Sequence, residues 1–483
     1  MITEWKDKKV AVIGAGVEGL SSALWLDKQG ANVTMLDKNE DTGIGQRAEG
    51  IEFKTGKDYL KGLDSYDVIV RSPGVKRSLP EILDAEEQGK IITSQTQIFF
   101  DLSPSPIIGV TGTKGKGTTS ALIYEMLKTE GLDVYLGGNI GTPPLNFLDK
   151  LTLESWVVLE LSSFQLEDLS FPRRQESRDP RVKPEDDIEN RAIMGKPHIA
   201  VILMITPEHL GIDSVGTANY HESMEEYVSA KRNIVRNQTD KDYVIINRDY
   251  PASLESDVYA QGKMYQVSRE REAAGDGCFT RQGRVIIRKD GKEEDVIEVS
   301  EILLPGKHNY ENVCAASMAA DLAGVSLGSI ASAIRQFKGL PHRLDLVKEV
   351  KGVRYYDDSF STTPETAIAA IEAFEDPEIL ILGGSHKDSD FTELGKVISE
   401  RQNIKAIIGI GVEWERVKMH LQMANSKWQI VENCKSMEEV VQKAAEIAEP
   451  GDVVLLSPAC ASFGMFRDYK ERGELFKAEI KRL

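Results

Sequence analysis

Short apolar runs alternate with longer mixed stretches along almost the whole chain. In the first hundred residues these runs are Lys9–Ile13, Ala31–Leu36 and Asp67–Arg71, each five or six residues long. Glycine-containing turns and helical patterns such as Leu20–Gln29 separate them. Apolar runs of this length joined by helices are typical of buried parallel strands. The pattern therefore predicts an α/β protein built on parallel sheets.

The alternation falls into three parts, and a chain of 483 residues is too long for a single core. Residues 1–102 predict a small Rossmann-like domain, and Ser103–Pro106 predicts a linker. A central domain, 103–339, and a C-terminal Rossmann-like domain, 340–483, follow. Further strands are expected at Ser155–Glu160, His198–Ile205, Tyr243–Asn247, Val353–Asp357, Ile379–Leu382, Ala406–Ile410 and Asp452–Ser457.

One segment, 172–196, breaks the pattern. It has dense alternating charge, three prolines and no apolar period. Because it offers little to bury, we expect a disordered, solvated insert. It also resembles peptides encoded by mobile palindromic repeats, which would make it an insertion without a chemical role. A basic clamp on a phosphate is the alternative, although acidic residues nearly balance the arginines.

Composition narrows the classes of partner. A net charge of −18 weighs against binding to nucleic acid or to acidic membranes. No apolar run approaches the length of a membrane span, and the first residues lack the apolar segment of a signal peptide, so we expect a cytoplasmic protein. The four cysteines lack the spacing of metal ligands and are expected to be reduced and buried.

The segment Ile107–Thr119 joins an apolar strand to a glycine-rich turn that carries a lysine and two hydroxyls. Glycines let backbone N–H groups approach phosphate oxygens, and Lys116 adds positive charge at the start of the following helix. Thr118 or Thr119 would then be able to bind Mg²⁺. An ordinary glycine-rich turn is the alternative, because Val110 and Gly117 depart from the general nucleotide-loop pattern.

A second glycine pattern, G-x-G-x-x-G, occupies Gly14–Gly19 between a predicted strand and a predicted helix. Asp37 ends the next strand, at the offset where dinucleotide-binding folds place an acid on a ribose hydroxyl. NAD and a nucleotide-sugar are equal interpretations of this turn, because either places a diphosphate at a helix N-terminus. A turn with a purely structural role is the third interpretation.

Polar residues also follow two strands of the central domain. Glu160 and His209 each come after an apolar run, so their side chains are expected at the edge of the sheet where ligands bind. Oxygen ligands suit Mg²⁺, and one imidazole can complete a second metal site. A structural histidine is the alternative for His209.

With these motifs the chain resembles the Mur ligases of peptidoglycan synthesis, and among them the branch that adds D-glutamate to UDP-N-acetylmuramoyl-L-alanine. The resemblance covers all three predicted domains. Its markers are the loop Thr111–Lys116 and the segments Gly137–Gly141, Leu159–Glu167, Pro305–Val313, Gly339–Arg343 and Leu455–Phe463.

The resemblance implies an N-terminal UDP-binding domain, a central P-loop ATPase domain and a C-terminal domain that binds the amino acid. It makes NAD an unlikely ligand for the first domain. It also implies ATP and two Mg²⁺ ions, with Lys116, Glu160, His209 and Lys231 as catalytic residues and Lys231 carbamylated. The metal ligands would be Thr118, Glu160 and His209.

The remaining binding residues are carried over in the same way. ATP would be bound by Gly112, Thr113, Lys114, Gly115, Lys116, Gly117, Thr118, Asn309, Arg343 and Asp358. The UDP-sugar would be bound by Gly14, Val17, Glu18, Asp37, Ser72, Gly74 and Asn139. The amino acid would be bound by Lys387, Ser462 and Phe463. The resemblance implies small-molecule substrates only and a monomer.

Several positions depart from the family pattern. Met204 replaces an asparagine, Gly211 replaces an aspartate, and extra residues lie around Ile212–Asn219. Phe360 stands where a lysine commonly helps to hold the amino-acid carboxylate, so a lysine there is expected to improve the binding of D-glutamate. The departures leave three alternatives open: a related ligase with another acceptor, such as a folylpolyglutamate synthase, a noncatalytic nucleotide-binding protein, and a dehydrogenase.

Overall fold

The computed structural model describes residues 4–40, 48–169, 195–208, 210–211, 219–386, 389–421, 428–463 and 465–483. It contains two compact units, Met1–Glu301 with Tyr310–Ile334 and Ile302–Asn309 with Arg335–Leu483. Within the described residues, the first unit holds a five-stranded and a nine-stranded sheet, and the second holds a six-stranded sheet.

The first sheet is entirely parallel, in the order β3-β2-β1-β4-β5. Its strands are β1 (Lys9–Ile13), β2 (Asn32–Asp37), β3 (Glu52–Thr55), β4 (Val68–Arg71) and β5 (Ile91–Thr93). Its helices are α1 (Val17–Lys28), α2 (Pro80–Glu87) and α3 (Gln95–Leu102). The strand order reverses between β1 and β4, so a ligand crevice is expected beyond their carboxyl ends.

The second sheet has the order β14-β13-β12-β11-β10-β9-β6-β8-β7. Its strands are β6 (Ile107–Thr111), β7 (Val134–Gly138), β8 (Trp156–Glu160), β9 (Ile199–Ile202), β10 (Tyr243–Asn247), β11 (Lys263–Ser268), β12 (Gly277–Arg281), β13 (Arg284–Lys289) and β14 (Lys292–Glu298). Its helices are α4 (Lys116–Glu130), α5 (Ser163–Glu167), α6 (Met224–Arg232), α7 (Pro251–Leu254), α8 (His308–Leu322) and α9 (Leu327–Gln336). Strand β6 lies among parallel neighbours, which places the glycine-rich loop at the carboxyl edge.

The last three strands of this sheet are antiparallel, contrary to a purely parallel prediction. Two tight turns reverse the chain, at Gln282–Gly283 and at Asp290–Gly291. All four of these residues have positive φ, between 51° and 75°. Consecutive positive φ values are the geometry of a hairpin turn, and an Asp-Gly pair is one of its strongest sequence signals. The hairpins extend the sheet away from the glycine-rich loop.

The third sheet has the order β15-β16-β20-β17-β18-β19, and only β15 is antiparallel to its neighbour. Its strands are β15 (Asp345–Val350), β16 (Val353–Asp357), β17 (Glu378–Gly384), β18 (Ile404–Gly411), β19 (Gln429–Val431) and β20 (Val453–Leu456). Its helices are α10 (Pro364–Ile371), α11 (Thr392–Glu400), α12 (Trp414–His420), α13 (Met437–Ile447) and α14 (Tyr469–Arg482). Buried apolar clusters cover both faces of the sheet.

A continuous apolar cluster joins the two sheets of the first unit. Phe99 of α3 packs edge-on against Phe147 at a centroid distance of 5.6 Å, and Phe147 stacks on Tyr135 of β7 at 5.3 Å. The buried guanidinium of Arg71, at the end of β4, also pairs with Asp168 at 2.6 Å. The residues between helix α3 and strand β6 therefore lie within a packed unit, although Ser103–Pro106 was predicted to be a linker.

The described residues contain no helix long and apolar enough to cross a membrane. The cysteines are free thiols. Cys278, Cys314 and Cys460 are buried, and Cys434 is half-buried.

Residues 170–194, which include most of the predicted insert 172–196, lie outside the described residues, but the predicted C-terminal end of the insert belongs to the fold. Gly195 donates its N–H to the carbonyl of Phe100 at 2.8 Å. The buried ammonium of Lys196 contacts the carboxylate of Asp242, which is also buried. The predicted insert boundary at residue 196 is therefore wrong by at least two residues, because a charged lysine was assigned to solvent although it has a buried partner.

Replacing Lys196 with methionine is expected to destabilise the protein by about 2–3 kcal/mol, because it leaves a buried carboxylate with one donor fewer. Burial alone would raise the pKa of Asp242, but hydrogen bonds from His198, Lys196 and Thr239 lower it. A lowered pKa stabilises the fold above the unfolded pKa, and that stability is lost as the pH falls through the folded value. In chemical denaturation, the destabilisation should therefore be full at pH 7 and shrink below about pH 4. The exposed neighbour Lys241→Met is the control, and an equal effect in both variants would contradict the assignment.

Candidate functional site

The glycine-rich loop leaves the buried strand β6 and enters α4 within four residues, Gly112–Gly115. Gly115 has a left-handed φ of 84°, and a Cβ atom there would lie 2.3 Å from Oδ1 of Asn312. The N–H of Thr113 donates to the carbonyl of Met204 at 2.6 Å, and its hydroxyl donates to the carbonyl of Thr206 at 2.9 Å. The loop is therefore fixed to the segment that follows β9.

Lys116 places its ammonium over this loop. Its Nζ donates to the carbonyl oxygens of Gly112 at 3.0 Å and of Thr113 at 2.9 Å. Among the described side chains none caps the N-terminus of α4. A lysine, glycine-rich backbone and the positive end of a helix dipole together favour a polyphosphate.

The structure separates the two threonines that were candidates for binding Mg²⁺. Thr119 is buried, and its hydroxyl donates to Oδ1 of Asn312 at 3.3 Å. Thr118 is half-buried in the first turn of α4. Thr118 is therefore the better placed of the two for a ligand at the loop.

Glu160 ends strand β8 with a buried carboxylate. Asn139 donates its side-chain amide to Oε1 at 3.1 Å and its backbone N–H to the carbonyl of Glu160 at 2.9 Å. Among the described residues none donates a hydrogen bond to Oε2, which is buried. A buried carboxylate oxygen without a donor is costly, so this oxygen fits the role of a ligand to a hard cation.

No three His, Cys, Asp or Glu side chains in the described part of the chain converge as a preformed metal cluster. His209, the predicted ligand of a second ion, lies outside the described residues. The geometry here therefore supports one carboxylate ligand, Glu160. Mg²⁺ commonly uses one or two carboxylates together with phosphate oxygens.

Lys231 approaches the same loop from α6. Its side chain is buried, with Nζ 2.8 Å from the carbonyl oxygen of Gly112 and 4.4 Å from the ring centre of Tyr227. Burial, reinforced by repulsion from Lys116, holds the pKa of Lys231 well below its usual value, against the attraction of Glu208 and Glu160. A lowered pKa favours an uncharged amine.

Two further residues of this cluster were not predicted. Glu208 accepts a hydrogen bond from Lys114 at 2.5 Å. The hydroxyl of Tyr227 lies 3.0 Å from the hydroxyl of Thr113. The sequence did carry a signal for Tyr227, which precedes Lys231 by one helical turn and so shares its face of α6.

The carboxylate of Asp37, at the end of β2, closes the N-terminal glycine turn. Asp37 accepts backbone N–H groups from Ala15 at 2.7 Å and from Asn39 at 2.8 Å. A Cβ atom on Gly19 would lie 1.8 Å from the carbonyl oxygen of Gly14. Asp37 thus fixes the turn, a contact that the predicted role at a ligand hydroxyl did not anticipate.

The other predicted residues of this turn surround it. The hydroxyl of Ser72 donates to the carbonyl of Gly14 at 3.3 Å, and Val17 is 76% exposed. Gly74 belongs to the turn after β4, where Asn219 donates to the neighbouring carbonyl of Pro73 at 2.7 Å. The extra residues around Ile212–Asn219 therefore end in a contact with the predicted nucleotide-sugar site.

Asn309, Arg343 and Asp358, the remaining predicted ATP contacts, belong to the second unit. Asn309 donates its side-chain amide to the carbonyl of Pro305 at 2.7 Å. The carboxylate of Asp358 is buried and accepts hydrogen bonds from the N–H of Leu344 at 3.1 Å and from the hydroxyl of Ser457 at 2.7 Å. Burial raises the pKa of Asp358 to about 7.

The guanidinium of Arg343 lies 3.8 Å from the ring centre of Phe360, and Tyr469 packs edge-on against the same ring at 5.0 Å. Of the residues predicted to hold the amino acid, Ser462 is buried and Phe463 is 69% exposed. Lys387 lies outside the described residues.

Family profiles match all three parts of the chain. The Mur ligase MurD-like N-terminal domain matches residues 8–94, the Mur ligase middle domain 186–320, and the Mur ligase glutamate ligase domain 342–460. The UDP-N-acetylmuramoylalanine–D-glutamate ligase of Symbiobacterium thermophilum is 36% identical over 482 residues, covering 99% of this chain and 98% of that protein. The enzyme of the same name from Ruminiclostridium cellulolyticum is 36% identical, covering 99% and 97%. The chain belongs to the Mur ligase family.

Solved Mur ligases share the fold. MurC of Thermotoga maritima aligns with a TM-score of 0.56 at 17% identity, over 98% of this chain and 99% of that one. MurF of the same organism, in complex with ADP, aligns with a TM-score of 0.55 at 17% identity, over 99% and 96%. The predicted resemblance and the three-domain α/β architecture are thus confirmed. The roles of single residues remain predictions.

Replacing Lys116 with alanine is expected to lower turnover about 100- to 1,000-fold, because one preorganised charge at the transferring phosphoryl group is lost. The measurement is ATP-dependent phosphate release by the purified variant. Lys128→Ala, at the exposed far end of the same helix, is the control and should retain full activity. Near-normal turnover in Lys116→Ala would show that the loop is not part of the catalytic site.

Proposed function

We propose that this Mur ligase joins the amine of D-glutamate to the lactoyl-alanine carboxylate of UDP-N-acetylmuramoyl-L-alanine, at the expense of ATP. The observation that carries the proposal is the convergence of Lys116, Lys231 and the buried end of Glu160 on one glycine-rich loop. Relatives that match almost the whole chain carry the name of this activity.

The reaction has two steps. The substrate carboxylate attacks the γ-phosphorus of ATP, so ADP leaves and an acyl phosphate forms. The amine of D-glutamate then attacks the acyl carbon, an amide bond forms, inorganic phosphate leaves, and the amine loses a proton. Such phosphoryl transfer depends mainly on positioning and on stabilising negative charge.

The residues at the loop fit both needs. The ammonium of Lys116 lies over the loop that would hold the β- and γ-phosphates, and the N–H of Thr113 ties this loop to the segment after β9. Thr118 and Glu160 would hold the first Mg²⁺, and His209 the second. When bound, these ions neutralise phosphate charge and polarise the transferring group.

Lys231 fits the role of a carbamylated lysine. Its amine is buried next to Lys116, which disfavours a second positive charge, and an uncharged amine is the form that adds CO₂. The resulting carboxylate would add negative charge close to the ammonium of Lys116, since both lysine side chains approach the carbonyl of Gly112. We further propose that the enzyme is monomeric and cytoplasmic.

The acceptor is assigned to the second unit, through Lys387, Ser462 and Phe463. Phe360 supplies no charge where the family commonly has a lysine, and its ring packs against the guanidinium of Arg343 at 3.8 Å. A ligase that prefers an acceptor with one carboxylate is therefore the second candidate function.

Phosphate release with defined substrates separates these possibilities. We expect release only when ATP, UDP-N-acetylmuramoyl-L-alanine and D-glutamate are all present, with the product UDP-N-acetylmuramoyl-L-alanyl-D-glutamate identified by mass. Release with a neutral D-amino acid in place of D-glutamate would favour the second candidate. Release with no combination of these substrates would overturn ligation altogether.

Lys231→Ala is expected to lose most of its activity, because no carbamate can form. A short carboxylic acid such as acetate should restore part of it, whereas bicarbonate should not. In the native chain, ¹³C-labelled CO₂ should give a carbamate signal that is absent in the variant. Full activity of Lys231→Ala would refute the carbamate.

Phe360→Lys is expected to leave the KM for D-glutamate unchanged or higher, which reverses the expectation from sequence alone. A lysine there would exchange the ring below Arg343 for a like charge, and both the repulsion and the lost stacking oppose a gain. The uncharged Phe360→Met is the matched control. A KM that falls several-fold in Phe360→Lys but not in Phe360→Met would restore the original expectation.

A further inference from the structure

Glu18 is an acidic residue in a turn that is proposed to hold a diphosphate. It lies in the first turn of α1, within the G-x-G-x-x-G pattern, and its side chain is half-buried. An ionised carboxylate in this place would repel the diphosphate of a nucleotide-sugar. The hydrogen bonds around Glu18 indicate how the conflict is resolved.

The direction of these hydrogen bonds is fixed by a backbone donor. The N–H of Ser162 donates to Oε1 of Gln165 at 2.9 Å, so the amide oxygen of Gln165 faces α5. Its Nε2 must then point the other way, and it donates to Oε1 of Glu18 at 2.5 Å. Because Oε1 of Glu18 is an acceptor, a proton on this carboxyl group belongs on Oε2. Among the described residues none hydrogen-bonds to Oε2.

The charges that face Glu18 are few. Arg71 of β4 attracts it, but that guanidinium is already paired with Asp168 and Glu167 of the α5 region. Asp37 of β2 closes the adjacent turn by accepting the backbone N–H of Ala15. Burial outweighs the hydrogen bond from Gln165 and the attraction of Arg71, and it raises the pKa of Glu18 to about 7.

We propose that Glu18 binds the diphosphate of the nucleotide-sugar in its neutral form, donating a hydrogen bond from Oε2 while Oε1 accepts from Gln165. The inference rests on the proposed function, since it requires a nucleotide-sugar at this turn. The protonation of Glu18 then sets the affinity of the N-terminal turn for the diphosphate. The glycine-rich loop that is proposed to bind ATP is not involved.

The same hydrogen bonds connect this turn to the catalytic edge of the central sheet. Gln165 accepts from the N–H of Ser162, which caps the N-terminus of α5 and lies two residues after Glu160, the last residue of β8. The buried side chain of Gln165 therefore links Glu18, in the N-terminal turn, to the start of α5.

Calorimetric binding of UDP-N-acetylmuramoyl-L-alanine to the full chain between pH 6.5 and 8.5 tests this role. The dissociation constant of the native protein should rise about 20-fold over this range, as expected when one group that titrates near pH 7 must be neutral. In Glu18→Gln, whose side chain is neutral and retains a donor, the change should be less than about twofold. Glu81→Gln, an exposed acid in the first turn of α2, should behave like the native protein.

Two results would overturn the inference: the same pH dependence in Glu18→Gln as in the native chain, or binding by Glu18→Gln that is much weaker than native at pH 6.5. If the native chain binds no nucleotide-sugar, the inference and the proposed function fall together. Ligation that proceeds normally while Glu18→Gln keeps the native pH profile would overturn the inference alone.

Discussion

Two lysine side chains from different helices donate hydrogen bonds to one carbonyl oxygen, that of Gly112. Lys116 reaches it from α4 and Lys231 from α6, at 3.0 and 2.8 Å. Like charges this close in a buried place are unfavourable unless anions accompany them or one amine is neutral. Glu160 and Glu208 supply part of the compensation. The arrangement is therefore poised for more negative charge, which a polyphosphate or a carbamate would provide.

The sheet topology makes this convergence possible. Strands β6, β8 and β9 run parallel and adjacent, so the loop after β6, the carboxylate at the end of β8 and the segment after β9 meet at one edge. The loop is held mainly through backbone groups, since the carbonyl of Met204 accepts from Thr113. The unusual Met204 is tolerated for this reason: its carbonyl, which every residue has, makes the contact.

Local chemistry was predictable where a motif carries its own geometry. The loop Gly112–Gly115, Lys116 and Glu160 follow apolar runs, and parallel strands place such residues at one edge whatever the details of packing. Partners distant in sequence were not predictable. Arg71 meets Asp168 across 97 positions, and Lys196 meets Asp242 from a segment whose composition resembles a solvated loop. Neither pairing leaves a periodic signal in the sequence.

The first two sheets act as one body because polar and apolar contacts cross between them. The cluster around Phe99 and Phe147 supplies the apolar part, and the pair of Arg71 with Asp168 fixes the turn after β4 against α5. Gln165 lies beside this pair and contacts Glu18. The N-terminal turn is therefore hydrogen-bonded to α5, and α5 directly follows the strand that ends in Glu160. The proposed reaction needs the substrate carboxylate next to the loop Gly112–Gly115. The packing of the first sheet against the second would hold a nucleotide-sugar at the N-terminal turn at a fixed distance from that loop.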